Sequence, residues 1–281
     1  MKHLFLPLLA VVFLASCNQN NPEASKQIQF NISAFEQSNE PLNAPAHISP
    51  KAKAVILDDT DGKPLTDLYI FDGTTQLAHQ TSDQDDFGPI TLSLTHGNHN
   101  LSFVCTRSTG LTYDQGTLSA TSVKPTFGTL YPLTVDASTT AQTVTLQRIS
   151  GQLNITIQDA FPTNATDIEF IINPRYTDLN ISTLCAVNGE SVTQRVSCSD
   201  KAGKTNQSFS FTHLAPSLDQ EYTAQVTINT YAGSTLLHSV LINDVRLAAN
   251  TKTVLTGNAF RSPSATVNAD HSWNTDLVGS F

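Results

Sequence analysis

Hydrophobic residues in this chain recur at every second position, segment after segment. Ile28, Phe30 and Ile32 alternate with Gln29 and Asn31, and Ile90, Leu92 and Leu94 with Thr91 and Ser93. The pattern returns in Leu153, Ile155 and Ile157, in Ile168, Phe170 and Ile172, in Phe209 and Phe211, and in Ala224, Val226 and Ile228. A two-residue period puts one set of side chains on one face of a strand, whereas a helix needs a period near 3.6, which is hard to find here. Each run is bounded by Gly, Pro, Asn or Asp. Many short alternating strands between turn signals predict an all-β chain of antiparallel β-sandwiches. Only 14% of residues are charged, while Ser, Thr and Asn are abundant, which suits the exposed faces of sheets.

The N-terminus follows a different rule. Lys2 and His3 precede an apolar run, Leu4 to Leu14, and small residues Ala15 and Ser16 stand just ahead of Cys17. This is the layout of a signal peptide over residues 1–16. The apolar run is about half the roughly 20 residues that a membrane-spanning helix needs, so a cleaved signal is expected rather than a retained span. Leu14-Ala15-Ser16-Cys17 resembles the lipobox of bacterial lipoproteins. That resemblance implies cleavage between Ser16 and Cys17, lipid on the Cys17 thiol and attachment to a membrane. Several acyl chains on one residue would anchor stably, where a single chain holds marginally.

Cleavage would remove Lys2 and take the formal charge of the chain from −9 to −10. An acidic balance of this size offers nothing to nucleic acid or to an anionic lipid surface. Residues 17–26 are polar, include a proline, and read as a lipidated tether. The stretch 136–150 begins with small polar residues and is expected to become a strand at Val144 and Leu146. A seam there divides the remainder into an N-terminal sandwich, 27–147, and a C-terminal sandwich, 148–281, each of ordinary domain size.

Local features fit the same frame. A hairpin is expected to turn at His96-Gly97-Asn98 and return through Leu101, Phe103 and Cys105, with Cys105 a small buried hydrophobe. Setting Cys17 aside leaves Cys105, Cys185 and Cys198. Export permits a disulfide, and Cys185 with Cys198 is the nearest pair. However, a two-residue turn at Asn188-Gly189 would pair Val187 with Glu190 and set Cys185 opposite Val192 instead.

The chain carries no G-x-S-x-G, H-E-x-x-H, S-x-x-K, Walker or G-x-G-x-x-G motif. His96 and His99 have a spacing that two metal ligands could use, but a zinc site needs a third, and a turn at Gly97 explains the stretch. Asp58 to Gly62 lacks the later ligands of a calcium loop, with Tyr69 and Ile70 where a closing glutamate would stand. Ser82 to Asp86 is an acidic turn by the same argument. No enzyme, cofactor or metal is expected.

Five phrases, 26–37, 65–80, 87–104, 146–159 and 247–260, resemble in order the fimbrillin-related lipoproteins of Bacteroidales type V pili, and most closely their anchor and minor-subunit branch. The resemblance implies two transthyretin-like β-sandwich domains in tandem, assembly by strand exchange, an outer-membrane location through lipid on Cys17, and pilus stalk or accessory subunits as partners. Polymerising stalk subunits of that family lose their first strand to an arginine-specific protease. Here no Arg precedes Arg107, so a subunit that keeps its lipid and stays at the base is expected.

The C-terminus supplies a possible joining element. Trp273, the single tryptophan, shares one strand face with Leu277 and Phe281. Two readings fit: the last strand of the C-terminal sandwich, or a tail, 272–281, lent to a partner's sheet edge. A surface lipoprotein that binds glycan through exposed aromatics is the alternative function. Aromatics make up only 7% of the chain, which leaves few residues for such a platform.

Overall fold

The computed structural model describes residues 35–41, 47–49, 55–57, 63–85, 87–88, 90–139 and 142–260. Cys17, Trp273, Leu277 and Phe281 lie outside them, as do Ile28 to Ile32 and Asp58 to Gly62. Among the described residues the regular elements are nineteen strands and one 3₁₀ turn, Ser199–Lys201. The strands of the first half are β1 (Phe35–Pro41), β2 (His47–Ser49), β3 (Val55–Leu57), β4 (Asp67–Asp72), β5 (Thr75–Thr81), β6 (Gly97–Thr106), β7 (Thr109–Asp114), β8 (Thr117–Ser122) and β9 (Thr126–Val135). Those of the second half are β10 (Gln147–Arg148), β11 (Ser150–Ile157), β12 (Asp167–Arg175), β13 (Asp178–Asn180), β14 (Cys185–Val187), β15 (Glu190–Ser197), β16 (Gln207–Leu214), β17 (Tyr222–Ala232), β18 (Thr235–Leu247) and β19 (Thr251–Gly257).

The second half holds a two-sheet sandwich. One sheet has the order β1-β19-β11-β16 and the facing sheet β15-β12-β17-β18. The period-2 runs are its inner faces: Leu153, Ile155 and Ile157 of β11, Ile168, Phe170 and Ile172 of β12, Phe209 and Phe211 of β16, and Val226 and Ile228 of β17 form one buried cluster. Intervening residues face outward, as alternation requires. All described ladders are antiparallel except β11 with β19, which runs parallel from Gln152↔Lys252 to Ile157↔Gly257.

The first half is built on the sheet β10-β9-β6-β4-β5. The run Leu68-Tyr69-Ile70-Phe71 of β4 is buried on both faces, which explains why it is continuously apolar. Leu68, Ile70, Phe103, Cys105 and Phe127 point into one cluster. Tyr69, Phe71 and Val104 point into another, shared with Leu118, Ile149, Leu179, Ile181, Leu184, Ala186 and Leu214. The strands over this second face form the sheet β14-β13-β8-β7. All described residues belong to one compact unit.

Three local expectations are corrected, and the open question of the cysteines is answered. The hairpin at His96-Gly97-Asn98 does not form: β6 starts at Gly97, which takes φ +135°, and both edges of β6 are occupied, by β4 and β9. Residues 90–94 therefore cannot pair with it, and Ile90, Leu92 and Leu94 instead pack as irregular chain against the face that Cys105 lines. The strand expected at Val144 and Leu146 shrinks to Gln147–Arg148, although both side chains pack on the same face. Asn188-Gly189 is not a hairpin turn. Asn188 has φ +55°, but β14 pairs with β13 and β15 with β12, so the turn carries the chain between two sheets and Cys185 does not face Val192. Cys105, Cys185 and Cys198 are free thiols, so the Cys185–Cys198 disulfide is not made. The acidic turn after β5 is present, with Gln84 N–H donating to the Thr81 carbonyl.

Candidate functional site

The residues singled out for attachment and joining, Cys17 and the stripe Trp273, Leu277 and Phe281, fall outside the described residues. The structure places what leads to the stripe. The Asp159 carboxylate accepts hydrogen bonds from the backbone N–H groups of Ala259, at 3.1 Å, and Phe260, at 2.7 Å. The Phe260 ring packs edge-on to Phe161 at 4.7 Å and against His238 of β18 at 5.6 Å. The chain is thus fixed at residue 260, beside β18, where the last 21 residues begin.

β18 is the edge strand of its sheet. It bonds to β17 on one side, and no described strand bonds to it on the other. Edge strands expose a row of N–H and C=O groups, which natural sheets guard with charge, proline or bulges. The stretch Thr235–Ile242, "TLLHSVLI", contains no Asp, Glu, Lys, Arg or Pro. Leu236 and Leu241 are 51% and 55% exposed, the two highest values among the large hydrophobic residues described. Both point to the outer face, because their cross-strand partners are Tyr231 and Thr227 while Val240 and Ile242 pair with the inward-facing Ile228 and Val226. Sequence reasoning passed over this stretch. Its signal was an uncharged apolar run directly after the Gly233 turn that does not alternate cleanly, and that signal was legible.

The rest of the outer face is polar and internally bonded. Asn229 Nδ2 and the Tyr231 hydroxyl both donate to Glu169 Oε1 at 3.0 Å, and the Ser239 hydroxyl donates to Asn229 Oδ1 at 2.7 Å. Accepting at Glu169 holds the Tyr231 phenol above its ordinary range. The Arg195 guanidinium lies over the Tyr231 ring, 4.3 Å from its centre, and reaches the Gly233 carbonyl at 2.9 Å and Asp167 at 3.4 Å. Asp167 is held below the carboxylate range, first by the Thr166 hydroxyl and then by Arg195.

Two further groups of titratable residues are committed to structure. His99 Nδ1 meets Asp72 Oδ2 at 2.7 Å and Nε2 meets the Thr95 carbonyl at 2.9 Å, so both ring nitrogens are engaged. The Asp72 contact raises the imidazole and lowers the carboxylate. His96, its expected companion, takes no part in these bonds. Among the described residues no three His, Cys, Asp or Glu side chains cluster as a metal would require. In the interior, His213 Nδ1 lies 3.0 Å from the Tyr222 hydroxyl and 3.1 Å from the Leu214 carbonyl. Beside it Arg175 is buried and donates from Nη2 to the Thr212 carbonyl at 2.8 Å. Burial brings the His213 imidazole down to about 4 and pushes the Tyr222 phenol up. Among the described residues, no helix is long and apolar enough to cross a membrane.

No family profile matches the sequence, and no curated protein matches it. Several solved structures are similar to it in part. A candidate adhesin from Bacteroides ovatus is 8% identical with a TM-score of 0.48, over 64% of this chain and 76% of that one. A candidate adhesin from Bacteroides thetaiotaomicron is 11% identical with a TM-score of 0.41, over 63% and 71%. A candidate cell adhesion protein from Bacteroides ovatus is 6% identical with a TM-score of 0.34, over 68% and 84%.

Proposed function

We propose that this chain is a non-enzymatic, lipid-anchored fimbrial subunit of the outer membrane, an anchor or accessory component that joins a pilus stalk by strand addition. The observation that carries the reading is the order of its strand-and-turn phrases. Residues 65–80 contain β4 and most of β5, residues 87–104 run into β6, residues 146–159 hold β10 and β11, and residues 247–260 hold β19. The resemblance to pilus lipoproteins therefore rests on the strands that organise the sheets. The lipobox-like Leu14 to Cys17 supplies the membrane end, and the tail 272–281 supplies the strand lent to the partner. A protein of this kind works by presenting backbone edges and covering them, and its polar side chains are spent on fixing strands in register.

The attachment half of the reading is tested at Cys17. Expressed in its source organism, the wild-type protein should incorporate labelled fatty acid and sediment with membranes. Cys17→Ala should carry no label, keep its first 16 residues or be released, and leave the membrane fraction. Normal processing and membrane retention of Cys17→Ala would refute the lipid anchor.

A further inference from the structure

We infer that His213 is an acid-operated latch between two packed cores. When its ring takes up a proton, the end of β16 releases Tyr176 and Ala186, and the cluster of Leu118, Ile149, Leu179 and Leu184 opens to water while the sandwich core of β11, β12 and β17 stays closed. Position is the first ground. Phe209 and Phe211 of β16 lie in the sandwich core, whereas Leu214, the residue after His213, packs in the other cluster. The strand end is tied there by few bonds. Leu214 N–H donates to the Tyr176 carbonyl at 3.2 Å in an isolated bridge, and Ala186 N–H donates to the Ala215 carbonyl at 2.8 Å. A chain of rings crosses the same boundary, His213 edge-on to Tyr222 at 5.7 Å and Tyr222 edge-on to Tyr176 at 5.2 Å.

The second ground is what faces the imidazole. β17 contributes the Tyr222 hydroxyl, the end of β12 contributes the Arg175 guanidinium, and Tyr176 stands behind Tyr222. β11 contributes Gly151, which pairs with His213 and has no side chain, and the turn after β18 brings the Ala248 carbonyl to the same place. Glu221, next to Tyr222 in sequence, is half exposed and turned to Arg246 at 3.9 Å. A protonated ring carries N–H on both nitrogens. Nδ1 has the Leu214 carbonyl to donate to, but Nε2 has no partner among the described residues. The new charge would also stand beside Arg175, itself a buried cation. Two buried cations without a carboxylate are costly to hold, so the ring takes its proton where water reaches it. Burial, with Arg175 adding to it, keeps the closed ring down at about 4.

Release is local because little holds that end of the strand. β16 pairs with β11 from Ser150↔Leu214 to Ile157↔Gln207, so freeing the ring parts the two pairs at Ser150 and Gly151 and the two bonds to Tyr176 and Ala186. The pairs that set Phe211 beside Leu153 and Phe209 beside Ile155 remain. Openings of this size lie well below global unfolding in free energy.

Hydrogen exchange of the purified full chain, corrected for intrinsic rates, tests the latch. In the wild type the Leu214 and Ala186 amides should be at least about tenfold less protected than Phe170 of β12, with little dependence on urea. Their protection should fall roughly 25-fold between pH 7.5 and pH 5.0, the factor that follows from 6.5 for the open ring and about 4 for the closed one. His213→Gln should abolish the fall. Arg175→Met, which leaves the histidine in place and removes the neighbouring cation, should reduce it. The inference is overturned if Leu214 and Ala186 exchange as slowly as Phe170, or if their protection holds to pH 5.0. It is equally overturned if the fall persists undiminished in His213→Gln or, should that variant not fold, in Arg175→Met.

Discussion

His213 is 2% exposed, and its Nε2 has no hydrogen-bond partner among the described residues. Among the described residues the polar groups beside it are the Tyr222 hydroxyl, the Leu214 carbonyl and the Arg175 guanidinium, none of them a carboxylate that could receive an imidazolium. Burial lowers the folded-state value from 6.5 to about 4. The unfolded chain therefore binds the proton first as pH falls. The contribution of His213 to stability is complete above about 6.5 and is lost progressively between there and about 4, amounting to roughly 3 kcal/mol. Denaturant unfolding of the wild type between pH 7 and pH 4.5 should show this loss, and His213→Gln should show a much flatter profile over the same window. Parallel profiles would mean that His213 is not buried as a neutral ring. A neighbouring constraint is Gly151: a Cβ there would lie 2.2 Å from the Ala248 carbonyl oxygen and 2.5 Å from His213 Cε1, so the close approach of β11 to this ring requires glycine.

At the scale of elements, the strands with clean alternation were legible because one face of each is buried in a single sandwich. That holds for β11, β12, β16 and β17, whose inward residues match the period-2 runs. Where a sheet is covered on both faces the pattern gives no face, as in β4, and where both neighbours of a strand are taken, a run such as Ile90 to Leu94 covers a core without joining a ladder. Pairings across long sequence distances were not legible, because nothing local encodes them. β1, from the start of the chain, pairs with β19 from Phe35↔Gly257 to Pro41↔Thr251, and β13, from the second half, pairs with β8 from the first. We propose that the seam near Arg148 divides the chain into its two sandwiches, with these pairings crossing it. An isolated 147–281 chain would lose β1 and β8 and expose Leu179, Ile181, Leu184 and Leu214. It should unfold at least about 4 kcal/mol more easily than the full chain and bind a hydrophobic dye. Equal stability of the two in urea would show that the crossing strands contribute little.

The molecule as a whole is a set of packed sheets whose edges differ in how they are finished. β19 is flanked by β1 and β11, whereas β18, with its exposed leucines, lies beside the start of the last 21 residues. The candidate joining site was legible only as an expectation: the spacing of Trp273, Leu277 and Phe281, which lie outside the described residues, suits a strand, whereas the position of the chain at residue 260 depends on Asp159 holding Ala259, a contact spanning a hundred residues. In the proposed function the tail is what links a lipid-anchored body to a stalk. The central claim is tested most directly by the fraction of fimbriae retained on cells after residues 272–281 are deleted, measured against fimbriae shed into the medium. The account predicts a lipidated protein of normal abundance in the membrane fraction with fimbriae lost to the medium, and normal retention at normal abundance would contradict it.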